Sequence, residues 1–260
     1  QEYGLLVGRL GEGRGAQTCF FAFADTVAAR NFQGTTQARG WLGLRSQHER
    51  GAPPSDVLLH VVPLDETNAA QQEAVGTLGV NLIHAAFHGK LAPPADLLRP
   101  LLDGLSLDRV EVDVAHLSGP AFGSFDPVDL GLALLRAEVA RCVLLEPPGN
   151  LVPPSDVVRK RAIVIERGRF LSGSEAYARL LAAGLGQLRT EFPALERSPV
   201  GLFELSVNSI RESPGTEELA PRLRNLLPMG YPVLVSRLRE SFQLTHYLRR
   251  MSHGALRFVA

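Results

Sequence analysis

The sequence predicts an α/β protein: a mainly parallel sheet with helices on both faces, extended by an N-terminal antiparallel β region. Two observations lead to this prediction. Apolar runs with short, turn-like connections fill the first part of the chain, and after residue 105 apolar runs alternate with helix-length patterns. Short connections favour antiparallel pairing, whereas strands rich in Val, Ile and Leu that alternate with helices are typical of a parallel sheet.

The antiparallel β region is predicted over residues 1–66, as part of the same domain as the α/β region of residues 67–260. Dense apolar runs begin at Cys19, Trp41 and Asp56, and clusters of Gly, Asn, Gln and Pro separate them. No helix-length pattern lies between these runs, so they are expected to pair as neighbouring antiparallel strands.

A long helix is predicted over residues 67–88, with Thr67 or Asn68 as its cap and Gly89 as its stop. Apolar side chains, Val80 among them, point in nearly every direction, so the helix is expected to be buried over most of its surface. Asn81 must then find hydrogen-bond partners inside the protein.

The later elements follow from the same periodicities. Residues 145–161 contain a Pro- and Gly-rich excursion of hairpin type. The remaining predictions are helix 94–102, strand 109–114, helix 128–137, strands 142–146 and 161–166, helix 174–192, strand 201–207, helix 217–227, strand 232–236, helix 242–250 and strand 255–259.

Composition restricts the class of partner. Lys+Arg and Asp+Glu are each 27, giving no net charge, so nucleic acid is not expected as the main partner. Near-neutral surfaces repel each other weakly, which favours a homo-oligomer.

No apolar stretch reaches the roughly 20 residues that a membrane helix needs. The cysteines, Cys19 and Cys142, are expected as buried free thiols, and the protein as soluble and cytoplasmic. The start at Gln1 suggests a chain that is processed or is a piece of a longer protein.

Familiar catalytic motifs are absent from the sequence. It has no Walker-type phosphate loop, no G-x-G-x-x-G after a strand, no G-x-S-x-G elbow and no paired C-x-x-C. Candidate site residues must therefore come from polar side chains placed within or just after predicted strands.

Carboxylates inside the predicted strands are the first candidates. Glu111 and Asp113 alternate with valines and so share a face, Glu166 ends an apolar run, and Glu204 interrupts another. Carboxylates at the carboxyl ends of parallel strands commonly face the ligand crevice. We expect Asp113 and Glu204 to converge and to act as catalytic acid–base groups or as ligands of a metal such as Mg²⁺. The alternative is ion pairing with nearby arginines.

Further candidates for ligand binding lie in loops, on strands and on the long helix. Ser118 and Gly119 follow one strand and Ser236 ends another, and small residues let the backbone approach a ligand. Guanidinium groups suit a carboxylate or phosphate. The full set of expected ligand-binding residues is Arg45, Asn81, Ser118, Gly119, Glu166, Arg167 and Ser236.

Four stretches, taken together in their order and spacing, resemble a poorly characterised bacterial α/β family that is well represented in cyanobacteria. They begin at Ala24, Gln71, Arg109 and Ile163, and the resemblance covers residues 18–255. Members are labelled inconsistently, as nicotinate-nucleotide adenylyltransferase or as TonB-dependent receptor. The resemblance implies an α/β fold and a cytosolic setting, and the first label implies a nucleotide-handling transferase. The sequence lacks an H-x-G-H phosphate motif, although residues 208–211 partly match a late serine/arginine motif of that class.

These features lead to three hypotheses. The first is a protein that binds a small phosphorylated or carboxylated ligand, such as a nucleotide, at the carboxyl ends of the parallel strands, as an enzyme or a degenerate enzyme. The second is a non-catalytic assembly or binding module that uses the N-terminal β region as its contact surface. The third, implied by the resemblance, is an adenylyltransferase-like enzyme.

Overall fold

The computed structural model describes residues 21–28, 37–47, 50–88, 94–171, 174–207 and 219–259. The chain divides into two compact units. The N-terminal unit comprises residues 1–126 and 136–140, and the C-terminal unit comprises residues 127–135 and 141–260. Cys142 is a buried free thiol, while Cys19 lies outside the described residues. No helix in the described part of the chain is both long enough and apolar enough to cross a membrane.

The N-terminal unit contains an antiparallel sheet of four strands in the order β1-β2-β3-β4. Leu42, Leu44 and Leu59 are fully buried on one of its faces, because side chains alternate between the two faces along each strand. The strands are β1 (Phe21–Ala28), β2 (Arg39–Ser46), β3 (Ser55–Pro63) and β4 (Val110–Ser118). The antiparallel N-terminal β region predicted from the sequence is therefore present.

Strand β4 corrects one prediction about this region. The sequence places it in the parallel sheet, but it pairs antiparallel with β3. Residues 110–115 are all buried, and such a continuously buried run reads like a strand of a parallel sheet. The helical connection from β3 to β4 is long enough for either orientation, so the sequence pattern does not distinguish them. The protein consequently has two sheets rather than one continuous sheet.

The long helix α1 (Asn68–His88) packs against β2 and β3. The Thr67 hydroxyl caps it by accepting a hydrogen bond from the Ala70 amide at 3.2 Å. Leu78 and Leu82 are fully buried, but Val80 is 65% exposed, so the prediction that most of the helix surface is buried is wrong for this side. A short helix α2 (Pro94–Leu98) and a 3₁₀ turn (Arg99–Leu102) follow and bury Leu97, Leu98 and Leu101.

Two glycines of α1 are expected to respond differently to alanine. Gly76 has open space where a Cβ would lie, so Gly76→Ala should raise the free energy of unfolding by about 0.5–1 kcal/mol through helix propensity. A Cβ on Gly79 would lie 2.9 Å from the end of the Phe23 ring, so Gly79→Ala should give less stabilisation or a net loss. Urea denaturation of both variants compares them, and equal stabilisation would show that Phe23 does not pack against α1 as described.

The C-terminal unit contains a sheet of six strands in the order β10-β7-β8-β9-β5-β6. Strands β10, β7, β8 and β9 are parallel, whereas β5 runs antiparallel to β9 and forms a hairpin with β6. The strands are β5 (Cys142–Glu146), β6 (Asn150–Val152), β7 (Ile163–Arg167), β8 (Val200–Ser206), β9 (Val233–Ser236) and β10 (Leu256–Val259).

Helices cover both faces of this sheet, as the sequence predicts. Leu244 and Leu248 of one helix belong to the same buried cluster as Leu202. On the other face, Leu181 and Leu185 of a second helix lie against Gly201. The helices are α3 (Pro127–Arg136), α4 (Pro154–Val158), α5 (Glu175–Glu191), α6 (Leu219–Leu226, extended by the 3₁₀ turn Leu227–Met229) and α7 (Ser241–Arg249). The α/β fold class is therefore confirmed.

The chain reverses direction within the parallel part of the sheet. It moves outward from β7 to β8 through α5 and from β8 to β9 through α6. It then returns through α7 to the opposite side of β7, where it forms β10. The boundary between β7 and β10 is thus a topological switch point, the place where open α/β sheets form a crevice at the carboxyl ends of their strands.

Candidate functional site

The predicted site residues are divided between the two units. Arg45, Asn81, Asp113, Ser118 and Gly119 lie in the N-terminal unit; Glu166, Arg167, Glu204 and Ser236 lie in the C-terminal unit. The expected convergence of Asp113 and Glu204 at one edge assumed that both lie in the same parallel sheet, but they belong to different sheets. In the described part of the chain, no group of three or more His, Cys, Asp or Glu residues is arranged to hold a metal ion. Residues 208–211 lie outside this part.

Asn81 makes contacts within the N-terminal unit that tie its helix to the following turn. Its side-chain amide donates to the carbonyl oxygens of Leu101 and Asp103, each at 2.9 Å. Both N–H donors of the amide are therefore used by the backbone. The expectation that Asn81 finds partners inside the protein is met.

Gly119 has a steric reason for being glycine. Its φ is +98°, and a Cβ would lie 2.5 Å from the Pro54 carbonyl oxygen and 2.6 Å from the Ser55 Cα. Ser118, at the end of β4, is exposed and pairs with Asp56 in the sheet register. The backbone at Gly119 therefore lies against the start of β3 and does not form part of an open loop.

Arg45 is paired within the antiparallel sheet. Its Nε and Nη2 atoms donate to the two carboxylate oxygens of Asp56, both at 2.6 Å. The two residues are opposite each other in the register of β2 and β3. This bidentate geometry is the one that guanidinium groups adopt with carboxylates, so a ligand anion would compete with Asp56.

Asp113 forms a buried pair with His60, which was not among the site residues predicted from the sequence. His60 pairs with Val114 and Val61 with Val112, so Asp113 is the extra residue of a β-bulge. The bulge brings its carboxylate 2.5 Å from the His60 Nδ1, and both residues are only 3% exposed. Burial raises the pKa of Asp113, and the charge and hydrogen bond of His60 oppose this shift.

Two further rings, those of Trp41 and His116, lie on the same face of the sheet as the His60 ring. The Trp41 ring meets it edge-on, with centroids 5.0 Å apart, and stacks on the His116 ring at 6.0 Å. His116 remains exposed, and partial desolvation lowers its pKa. The sequence contains a signal for this cluster, because the polar ring of His60 interrupts the apolar run of residues 57–62 in β3.

In the C-terminal unit, Glu204 lies at the centre of a buried polar network. It is fully buried and accepts a hydrogen bond from the Ser236 hydroxyl at 2.5 Å. Its other oxygen, Oε2, lies 3.0 Å from the Arg167 Nε without the geometry of a hydrogen bond. Burial raises the pKa of Glu204, while Ser236 and then Arg167 act in the opposite direction.

Arg167 also holds the segment that follows β9. Its Nη2 donates to the carbonyl oxygens of Leu238 at 2.6 Å and Arg239 at 2.9 Å. The Ser206 hydroxyl donates to the same Leu238 carbonyl at 2.9 Å. The network therefore fixes the connection from β9 to α7, and Arg167 is occupied by the protein itself.

Glu166 has no such partner, although it is next to Arg167 in the chain. It is 5% exposed, and its Oε2 is buried without a hydrogen bond. In the register of β7 and β8, Glu166 is opposite Phe203 while Arg167 is opposite Glu204, so Glu166 points to the other face of the sheet. Burial raises the pKa of Glu166 to about 7.

Aromatic residues lie on the face that Glu166 shares. The Phe203 ring contacts the Phe170 ring edge-on at 5.4 Å and the Tyr231 ring at 5.7 Å. Phe170 in turn meets Tyr177 at 5.0 Å. No sequence pattern links these rings, since one lies in a strand, one in a helix and two in loops.

Comparison of the chain with family models, curated proteins and solved structures found no match.

Proposed function

We propose that the protein binds a small molecule at the carboxyl ends of β7 and β10, with the Glu166 carboxyl as the group that meets the ligand. The observation that carries this proposal is the buried Oε2 of Glu166, which has no hydrogen-bond partner. Buried polar atoms are nearly always hydrogen-bonded in folded proteins, so a buried oxygen without a partner favours a hydrogen bond supplied by a ligand.

The position of Glu166 in the fold supports the same proposal. Glu166 is next to last in β7, and its neighbour across the switch point is Val259 of β10. Ligands of open α/β sheets bind outside the carboxyl ends of the strands at such a point. A carboxyl there is well placed to contact a bound molecule.

The chemistry of Glu166 selects the part of the ligand that it would contact. A carboxylate accepts hydrogen bonds, so the complementary group is an N–H donor or an ammonium group. Phe203 and Phe170 provide apolar surface beside it, and aromatic faces attract cations. With a pKa of about 7, the carboxyl can also accept or release a proton near neutral pH, as a general acid or base does.

The anionic group expected from the sequence would lie toward the start of α5, the helix that directly follows β7. Helix N-termini bind phosphate and carboxylate groups through their free N–H groups and the helix dipole. The Ser174 hydroxyl caps this helix by accepting a hydrogen bond from the Ala176 amide, so an anion bound here would take the place of that hydroxyl. Arg167 is engaged by Glu204 and by backbone carbonyls, so we propose that the N–H groups of α5, and not Arg167, donate hydrogen bonds to the anion. The proposed ligand carries both an amine and a phosphate or carboxylate.

A thermal-shift experiment tests this proposal with phosphoethanolamine, β-alanine, ethylamine, inorganic phosphate and adenosine monophosphate. Compounds that carry both groups should raise the melting temperature by several degrees, since a ligand at 100 times its Kd adds about 2.7 kcal/mol. Glu166→Gln should abolish the shift, and Glu196→Gln, which changes an exposed glutamate of the same unit, should keep it. A shift undiminished in Glu166→Gln, or no shift with any compound, would count against the proposal.

A further inference from the structure

The pair of His60 and Asp113 lies in the N-terminal unit and has no role in the function proposed above. The strand register places His60, Trp41 and His116 on the face of the antiparallel sheet opposite to the one that α1 covers. A buried carboxyl group is an expensive feature in a β-sheet, and a bulge is needed to bring this one to His60.

The hydrogen bond between the two residues determines the state of the imidazole. With Nδ1 held 2.5 Å from a carboxylate oxygen, the neutral ring carries its proton on Nδ1 and presents Nε2 as an acceptor. The described residues make no hydrogen bond to Nε2. A histidine oriented in this way by a carboxylate has the arrangement of a general base, and a proton taken up at Nε2 is stabilised by the carboxylate behind it.

The surroundings of His60 indicate which kind of molecule would donate that proton. Trp41 lies edge-on to the His60 ring and stacks on His116, so the rings nearest to the pair are flat and aromatic. A planar ligand with an acidic hydroxyl fits these surroundings, because its ring can pack beside the aromatic side chains and its hydroxyl can donate to Nε2.

We infer that the antiparallel sheet carries a second binding site, which takes a neutral aryl alcohol of the phenol class. Its ring packs beside Trp41 and His116, and its hydroxyl donates to His60 Nε2. The proton then passes from the phenol oxygen to Nε2, which leaves a phenolate beside an imidazolium, and no other bond forms or breaks. Asp113 does not touch the ligand and acts as a positioning residue.

p-Nitrophenol tests this inference, because its phenolate absorbs visible light and the phenol does not. At a pH about two units below the pKa of free p-nitrophenol, excess protein should raise the phenolate fraction about tenfold, which corresponds to one unit of pKa. His60→Gln should abolish the increase and Asp113→Asn should reduce it, while His253→Gln, an exposed histidine, should leave it unchanged.

A measurement on the unaltered protein covers the case in which these variants fail to fold. In ¹⁵N NMR spectra, the Nε2 resonance of His60 should move toward its protonated position when p-nitrophenol is added. The inference is overturned if the phenolate fraction does not rise, if it rises equally in a folded His60→Gln variant, or if the Nε2 resonance stays in place.

Discussion

Arg167→Met is expected to lower the free energy of unfolding by about 3 kcal/mol, because it leaves the buried carboxylate of Glu204 without its cation. The same substitution removes the donors that hold the Leu238 and Arg239 carbonyls, so the connection from β9 to α7 should also loosen. Urea denaturation measures the first effect, and amide hydrogen exchange of residues 238–241 measures the second.

The matched control is Arg257→Met, which breaks another Arg–Glu pair of the same unit. Arg257 pairs with Glu191 on the surface, where water screens both charges, so little change in stability is expected. The double variant Arg167→Met/Glu204→Gln should recover part of the loss, because it also removes the buried charge. If Arg167→Met were as mild as the control, Glu204 would not depend on its cation.

Glu166→Gln should change how the stability of the protein depends on pH. The pKa of Glu166 is about 7 in the folded protein and 4.5 ordinarily, so the unfolded chain loses this proton first as the pH rises. Below pH 4.5 Glu166 is protonated in both the folded and the unfolded chain, so it does not lower the free energy of unfolding. Between pH 4.5 and 7 it lowers the free energy of unfolding increasingly, and above that range the loss is constant.

As the pH rises through this window, the free energy of unfolding of Glu166→Gln should therefore increase relative to that of the wild type. The expected change is on the order of 2 kcal/mol, since a full shift corresponds to about 1.4 kcal/mol per unit and solvent near the sheet edge screens part of it. Urea titrations of both proteins at several pH values give the difference directly. A difference that is flat with pH would mean that Glu166 titrates normally.

Most of the fold follows from local sequence pattern, because each strand and helix of the C-terminal unit carries its own periodicity. The alternation predicts the parallel strands β7, β8 and β9 with helices between them. Strand β4 was assigned to the wrong sheet, since its pairing with β3 is a long-range choice that burial on both faces does not reveal. Burial of α1 was overestimated because an exposed Val80 looks like a core residue in the sequence.

The candidate site was predictable in its residues but not in its arrangement. Polar residues at strand ends identified Glu166, Glu204 and Ser236, and the last two do form one network. The register of β7 against β8 places Arg167 opposite Glu204 on one face of the sheet and Glu166 opposite Phe203 on the other. No local pattern encodes that register. The pairing of His60 with Asp113 is hidden in the sequence for the same reason, because only the bulge at Asp113 brings the two side chains together.

The most direct measurement of the central proposal is the titration of the Glu166 carboxyl itself, followed by ¹³C NMR of its Cδ with and without phosphoethanolamine. We expect a pKa of about 7 in the free protein and a clear decrease on binding, because an ammonium group stabilises the carboxylate. A pKa near 4.5 in the free protein, or one that phosphoethanolamine leaves unchanged at saturating concentration, would contradict it.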